Sequence, residues 1–186
     1  MKKILAIMSI LIAFSSCNTD NDDVYYKIPK NIKPICSAGD VFSFYSSQNG
    51  KTEEWTVDRV VKEKYQLVDY RLNCEETDHY MGDRYTTYYS IDDSVSVIIS
   101  QNQGGIENIE FYKPHYPRIY YYPVSASYIV VDDEGYYVDV MKPEKSYQYY
   151  PTEIFCSHQC GVLRFSYGDT VTYNILNPLT EKKYKK

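Results

Sequence analysis

Near its C-terminal end the chain sets two thiols and an imidazole close together, as Cys156-x-His158-x-Cys160. Thiolate and imidazole are ligands that zinc prefers, but a structural zinc site takes four donors, with Cys and His in recognisable pairs. No second close pair stands elsewhere in the sequence. A disulfide or structural thiols therefore explain this stretch better, and no metal is expected. A Cys–His nucleophile would need thiolate and base in contact. His79, His115 and His158 are the chain's three histidines, and none sits in a protease or transferase context. Lone Cys and His residues do not make a site, so surface histidines are the expectation.

Other chemistry is equally sparse. Asp132-Asp133-Glu134-Gly135 lacks the alternating ligand spacing of a calcium loop and reads as a solvated β-turn. Asp92-Asp93 reads as a strand boundary. Glycoside hydrolysis needs two carboxylates across a cleft, but with 25 acidic residues in the chain their presence discriminates nothing. There is no G-x-S-x-G elbow, P-loop or dinucleotide fingerprint. No catalytic residue and no cofactor is assigned.

Tyrosine is the unusual component, with 23 residues against 6 Phe and 1 Trp. The residues cluster as Tyr85, Tyr88 and Tyr89, as Tyr116 and Tyr120-Tyr121-Tyr122, and as Tyr147, Tyr149 and Tyr150. Tyr offers rigid, amphipathic contact area suited to proteins or sugars. Neighbours along a strand point to opposite faces, so a run of three cannot form one stripe, and part of the excess must be core. Tyr120, Tyr122, Tyr147 and Tyr149 are the candidate binding face; plain sheet packing is the competing explanation.

The N-terminus dictates where this chemistry operates. Met1-Lys2-Lys3 is a short positive start, and Ile4 to Phe14 is apolar except for Ser9. Eleven residues are too few to cross a bilayer core, which needs about 20; this is the grammar of a secretory signal peptide. Phe14-Ser15-Ser16-Cys17 resembles the lipobox of bacterial lipoproteins. The resemblance implies removal of residues 1–16 and acylation of Cys17. Phe14 stands where that family prefers Leu. Acyl chains contribute about 0.8 kcal/mol per buried methylene, so two or three anchor stably where one would be marginal. Residues 17–35 are expected to be a tether, since Asn18-Thr19-Asp20-Asn21-Asp22-Asp23 is too polar to order itself. Acids just behind the Cys also resemble the export signal of Bacteroidota-type surface lipoproteins. That implies an outer-membrane location, surface-exposed rather than periplasmic.

Loss of Lys2 and Lys3 with the leader leaves 18 basic and 25 acidic residues, a net charge of −7. That balance argues against nucleic acid and against an anionic membrane surface as a partner. The basic residues 181–186 read as a solvated tail. Cys36, Cys74, Cys156 and Cys160 form an even set in an exported chain, which points to disulfides with three possible pairings. Cys36 or Cys74 with Cys156 or Cys160 is favoured; reduced thiols and a local Cys156–Cys160 loop stay open.

Residues 36–180 are long enough for one domain, and their pattern is of period two. Val41 to Tyr45 leads into Asn49-Gly50, a strong two-residue hairpin signal. That turn would pair Phe44 with Trp55, Phe42 with Val57, Tyr45 with Glu54 and Ser43 with Thr56. Tyr65 to Cys74 would turn Val68, Tyr70, Leu72 and Cys74 inward, and Arg84 to Ile91 is a further strand. Val95, Val97 and Ile99 face inward, and a loop at Gln103-Gly104-Gly105 sets Ile99 against Ile109 and Val97 against Phe111. A loop at Asp133-Glu134-Gly135 sets Val130 against Val138 and Tyr128 against Val140. For the last hairpin, a loop of Gly168 to Thr170 keeps the apolar face intact by pairing Phe165 with Tyr173 and Leu163 with Ile175. With no sustained helical period, the expectation is an all-β antiparallel meander of hairpins curling into a barrel or half-barrel, with a sandwich as alternative.

Gly161-Val162-Leu163-Arg164-Phe165 followed by a closing hairpin also resembles a pattern in uncharacterised Bacteroidota lipoproteins; the preceding Cys156 and Cys160 depart from it. The resulting expectation is a lipid-anchored, non-enzymatic binding or assembly domain with a protein or glycan partner. The alternatives are a glycan-acting hydrolase and a purely structural envelope lipoprotein.

Overall fold

A computed structural model describes residues 25–70, 77–92, 95–131 and 134–178. All regular structure among them is β. A short strand β1 (Tyr25–Tyr26) precedes β2 (Val41–Ser46), β3 (Lys51–Tyr70), β4 (Thr77–Ile91), β5 (Val95–Asn102) and β6 (Gly105–Tyr112). Then come β7 (Ile119–Val131), β8 (Glu134–Pro143), β9 (Glu153–Ser157), β10 (Gly161–Tyr167) and β11 (Val171–Ile175). Each strand from β2 onward pairs antiparallel with the next, and β11 returns to β2 through Asn174↔Tyr45 and Ile175↔Phe44. The meander therefore closes into a ten-strand barrel, with β1 outside it, parallel to β4. Of the sequence alternatives, the closed barrel is the one formed.

Closure is driven by what the strands enclose. Trp55, Phe42, Phe44, Phe111, Tyr121 and Phe165 are fully buried. The Trp55 ring stacks on Phe165 at 5.1 Å and meets Phe44 at 5.0 Å and Phe111 at 5.7 Å. Ten strands enclose more volume than eight, and here aromatic rings fill it. Each such ring pair contributes about 0.5–1.5 kcal/mol beyond its buried area.

Two hairpins depart from the sequence expectation. At the β2–β3 turn the register is Phe42↔Trp55, Ser43↔Glu54, Phe44↔Glu53 and Tyr45↔Thr52, two residues from the expected pairing. The loop has four residues because Asn49 uses its side chain elsewhere. Its Oδ1 accepts from the Lys51 N–H at 3.0 Å, and its Nδ2 donates to the Tyr173 hydroxyl at 3.0 Å. Gly50 takes a φ of +67° and its N–H bonds the Ser46 carbonyl at 2.9 Å. A slip of two preserves faces, so Phe42, Phe44, Trp55 and Val57 are all inside as expected.

The β7–β8 slip is odd and does change faces. Tyr128 pairs with Tyr137, Ser127 with Val138 and Val130 with Gly135. Tyr128 and Val130 are both 57% exposed, while Ile129 and Val138 join the core. The remaining hairpins match: Val97↔Phe111, Ile99↔Ile109 and Phe165↔Tyr173. A two-residue turn and a bulge after Ser100 replace the three-residue loop at Gln103, without disturbing the inner pairs.

The barrel's two ends differ. At one, β2–β3 and β10–β11 turn tightly, while 113–118 and 144–152 form longer links. At the other, β3 and β4 run on past their neighbours. β4 has β5 beside it only as far as Tyr85, yet pairs with β3 out to Tyr70↔Thr77. Eight further pairs make an arm about 26 Å long. Residues 27–40 lie across this mouth: the Ile35 N–H bonds the Gln159 carbonyl at 3.0 Å, and Gln101 Nε2 donates to the Ile32 and His158 carbonyls. Residues 25–35, which by sequence belong to the expected tether, thus carry β1 and a buried Ile28. The side chains of Val68 and Tyr70, and all of Leu72 and Cys74, lie outside the described residues.

Candidate binding face

The turn-bearing end gathers the tyrosines. On β7, alternation sends Tyr121 inward, where its ring meets Phe111 at 5.3 Å and its hydroxyl donates to the Pro151 carbonyl at 2.8 Å. Burial pushes the Tyr121 phenol far above its ordinary pKa, so it stays a donor. Tyr120 and Tyr122 on either side must then point outward, and both are exposed. With Tyr147, Arg118, Glu144 and Lys145 they line a concavity of about 120 Å³. Arg118 bonds Glu110 at 3.2 Å, which fixes one wall.

Tyr147 also borders a second concavity of about 320 Å³, together with Tyr150, Thr152 and Tyr167. The 144–152 link is held from beneath. The Tyr150 hydroxyl donates to the Pro117 carbonyl at 2.9 Å, and the Thr152 N–H bonds the Ser166 carbonyl at 2.7 Å. Tyr116 packs edge-on against Tyr149 at 5.8 Å and Tyr150 at 6.5 Å. Lys113 donates to the Tyr149 carbonyl at 2.8 Å. Of the four sequence candidates, the fold brings Tyr120, Tyr122 and Tyr147 together. Tyr149 stands beside Tyr116 and lines neither concavity. Sequence reasoning missed Arg118, Glu144 and Lys145; Arg118 was legible in principle, two residues before Tyr120 and so on its face.

The sulfur cluster forms at the opposite mouth. Cys36, Cys156 and Cys160 are all buried there, and none of the expected disulfides joins one of them to another; Cys36 Sγ lies 4.0 Å from the Tyr89 hydroxyl. Cys74, the fourth member of the disulfide set, is outside the described residues. Burial raises the Cys36 pKa, lifts Cys160 to about 11, and, with Asp139 nearby, holds Cys156 well above the usual range. These thiols stay protonated at neutral pH and are poor nucleophiles.

His158 turns to Asp139, with Nε2 to Oδ2 at 2.8 Å. Among the described residues no three His, Cys, Asp or Glu side chains are grouped to hold a metal. His115 occupies a loop at φ +68°, and the His79 side chain is not among those described. Asp132 and Asp133 are also outside the described residues. Glu53 has its pKa raised by burial, against the opposing bond from Trp55 Nε1 at 2.7 Å.

No protein-family model, curated protein or solved structure matches the chain.

Proposed function

We propose that the chain is a lipid-anchored, non-catalytic binding domain of the outer membrane, displayed at the cell surface, whose ligand is a glycan. The observation that carries this reading is the shallow concavity of Tyr120, Tyr122 and Tyr147, with Arg118, Glu144 and Lys145 at its edge. Flat exposed rings stack on the apolar faces of sugar rings, and charged groups beside them bond hydroxyls. The links behind the face are already fixed by Tyr121, Tyr150 and Thr152, so little ordering cost opposes binding.

Topology supports the display. The described chain enters at β1, beyond the arm end of the barrel, while the tyrosine face sits at the other end. A lipid on Cys17 would tether the first end and leave the second facing outward.

The test is a glycan array followed by calorimetric titration of the best hit. The Tyr120→Ala/Tyr122→Ala variant should lose at least tenfold in affinity while its melting temperature stays within a few degrees of wild type. Unchanged affinity in that variant would remove the reading. Protease shaving of intact cells, with a periplasmic control protein, tests display separately: loss of the domain is expected, and protection would place it in the periplasm.

A further inference from the structure

Between the lead-in and the base of the β3–β4 arm runs a groove of about 700 Å³. Lys27, Lys30 and Lys33 stand on one wall and Lys62 and Lys64 on the other; Asp83 is the one acid among its lining residues. The two walls come together because β1 pairs with β4 at Met81 and Gly82, while Lys64 and Lys62 sit opposite Asp83 and Tyr85 on the same hairpin. In a chain of net charge −5, five ammonium groups around one groove invert the local field and concentrate anions there.

The acid in the groove is already engaged. Asp83 is 2% exposed, accepts from the Tyr25 hydroxyl and pairs with Lys62 Nζ at 2.9 Å. Burial opposes its charge, but the bonds from Tyr25 and Lys62 outweigh that and bring its carboxyl below the ordinary range. Among the described residues, no carboxylate is within ion-pair distance of Lys27, Lys30, Lys33 or Lys64. Lys64 Nζ is held 5.4 Å from the Tyr25 ring. Asp83 thus fixes the floor and one lysine, and the other four cations line the groove with no carboxylate of the described residues paired to them.

We propose that this groove is a binding site for a ligand carrying more than one phosphate group. Its cations are all lysine. Lysine meets phosphate as a compact point charge that adapts to a tetrahedral anion, without the fixed planar fork through which arginine binds carboxylate or phosphate. Several ammonium groups on facing walls fit several phosphates better than one. Phosphate of this kind comes from lipid headgroups or from soluble compounds. The lipid source rests on the anchoring of Cys17. Tyr25 is eight positions after Cys17, so extended chain would hold the groove within about 25–30 Å of the bilayer.

The experiment uses the full chain in a Cys17→Ser background, so that acylation cannot supply membrane binding. Inorganic tripolyphosphate is titrated at low salt, with citrate as the carboxylate comparison. Vesicles of zwitterionic lipid, with and without an anionic phospholipid, form the second arm. The Lys30→Gln/Lys33→Gln/Lys64→Gln variant should lose at least tenfold in tripolyphosphate affinity. The charge-matched Lys51→Gln/Lys182→Gln/Lys183→Gln variant should lose less than threefold. Tripolyphosphate should bind at least tenfold tighter than citrate, and its affinity should fall with added salt.

Vesicle binding that follows the same variants assigns the phosphates to lipid; tripolyphosphate binding without vesicle binding assigns them to a soluble ligand. Absent tripolyphosphate binding, equal losses in the two variants, or citrate binding as tightly would each overturn the proposal. None of these outcomes touches the tyrosine face, whose assay reads Tyr120 and Tyr122 at the other end of the barrel.

Discussion

At the turn end of the barrel, exposed rings lean on one another and on the buried Tyr150: Tyr116 against Tyr149 and Tyr150, and Tyr147 against Tyr150 at 6.1 Å. At the arm end, charges do the organising, with Asp83 gripping Lys62 and His158 gripping Asp139. One meander thus supports two kinds of surface. Ring packing is short-ranged and nearly indifferent to salt, so the aromatic face keeps its shape across conditions. The lysine groove works through a field that ions screen within about 10 Å at 0.1 M. The first surface is suited to a neutral, shaped ligand and the second to a charged one.

The contrast can be broken at its common root. Trp55 touches rings from both halves of the interior. Trp55→Ala should cost about 3–5 kcal/mol in urea unfolding and weaken both ends together. Intact ligand binding at one end with loss at the other would mean the ends are supported separately.

Gly105→Ala should act on the arm end alone. Gly105 holds a φ of +119°, and a Cβ there would stand 2.8 Å from His158 Nε2. Strain of this kind costs about 1–3 kcal/mol. Thermal melting should report it while the affinity of the tyrosine face stays within twofold.

Tyr121→Phe sharpens the other side. It strips the bond to the buried Pro151 carbonyl, worth about 1 kcal/mol. The 144–152 link should gain hydrogen exchange, and glycan affinity should drop while tripolyphosphate affinity holds.

The smallest effect concerns Glu53, half-buried and bonded to Trp55 Nε1. Its folded-state pKa is raised by burial, so the folded chain binds its proton more tightly than the unfolded chain does. Stability should therefore fall as pH rises through the window between the two values, and stay lower above it. Glu53→Gln should flatten that slope in denaturant titrations from pH 4 to 7 and stabilise the protein at neutral pH.

Most of the barrel was legible because alternation with one dominant face leaves one register open. Phe165↔Tyr173 and Val97↔Phe111 follow from it directly. The β7–β8 hairpin was not legible because both its faces are apolar: Tyr128 and Val130 compete with Ile129, and pattern alone cannot choose. Asn49-Gly50 signals a two-residue turn, and only the Asn49 contact to distant Tyr173 shows why four are used. Tyr120 and Tyr122 could be picked out because Tyr121 between them must point the other way. The lysine groove could not. Its walls lie some thirty residues apart in sequence, and nothing in Lys27, Lys30 or Lys33 announces that β1 will lie against β4.

The closing seam carries a consequence for timing. Every barrel neighbour is next in sequence except β11 and β2, which meet through two residue pairs and the bond from the Leu176 N–H to the Ser43 carbonyl at 2.8 Å. Hairpins zip as they emerge, but long-range closure waits on loop entropy. A chain synthesised N-terminus first must therefore hold β2 with one edge unpaired until β11 has arrived. During that interval the open edge is a template for misassembly, and the speed of delivery of the final strand sets how long the hazard lasts.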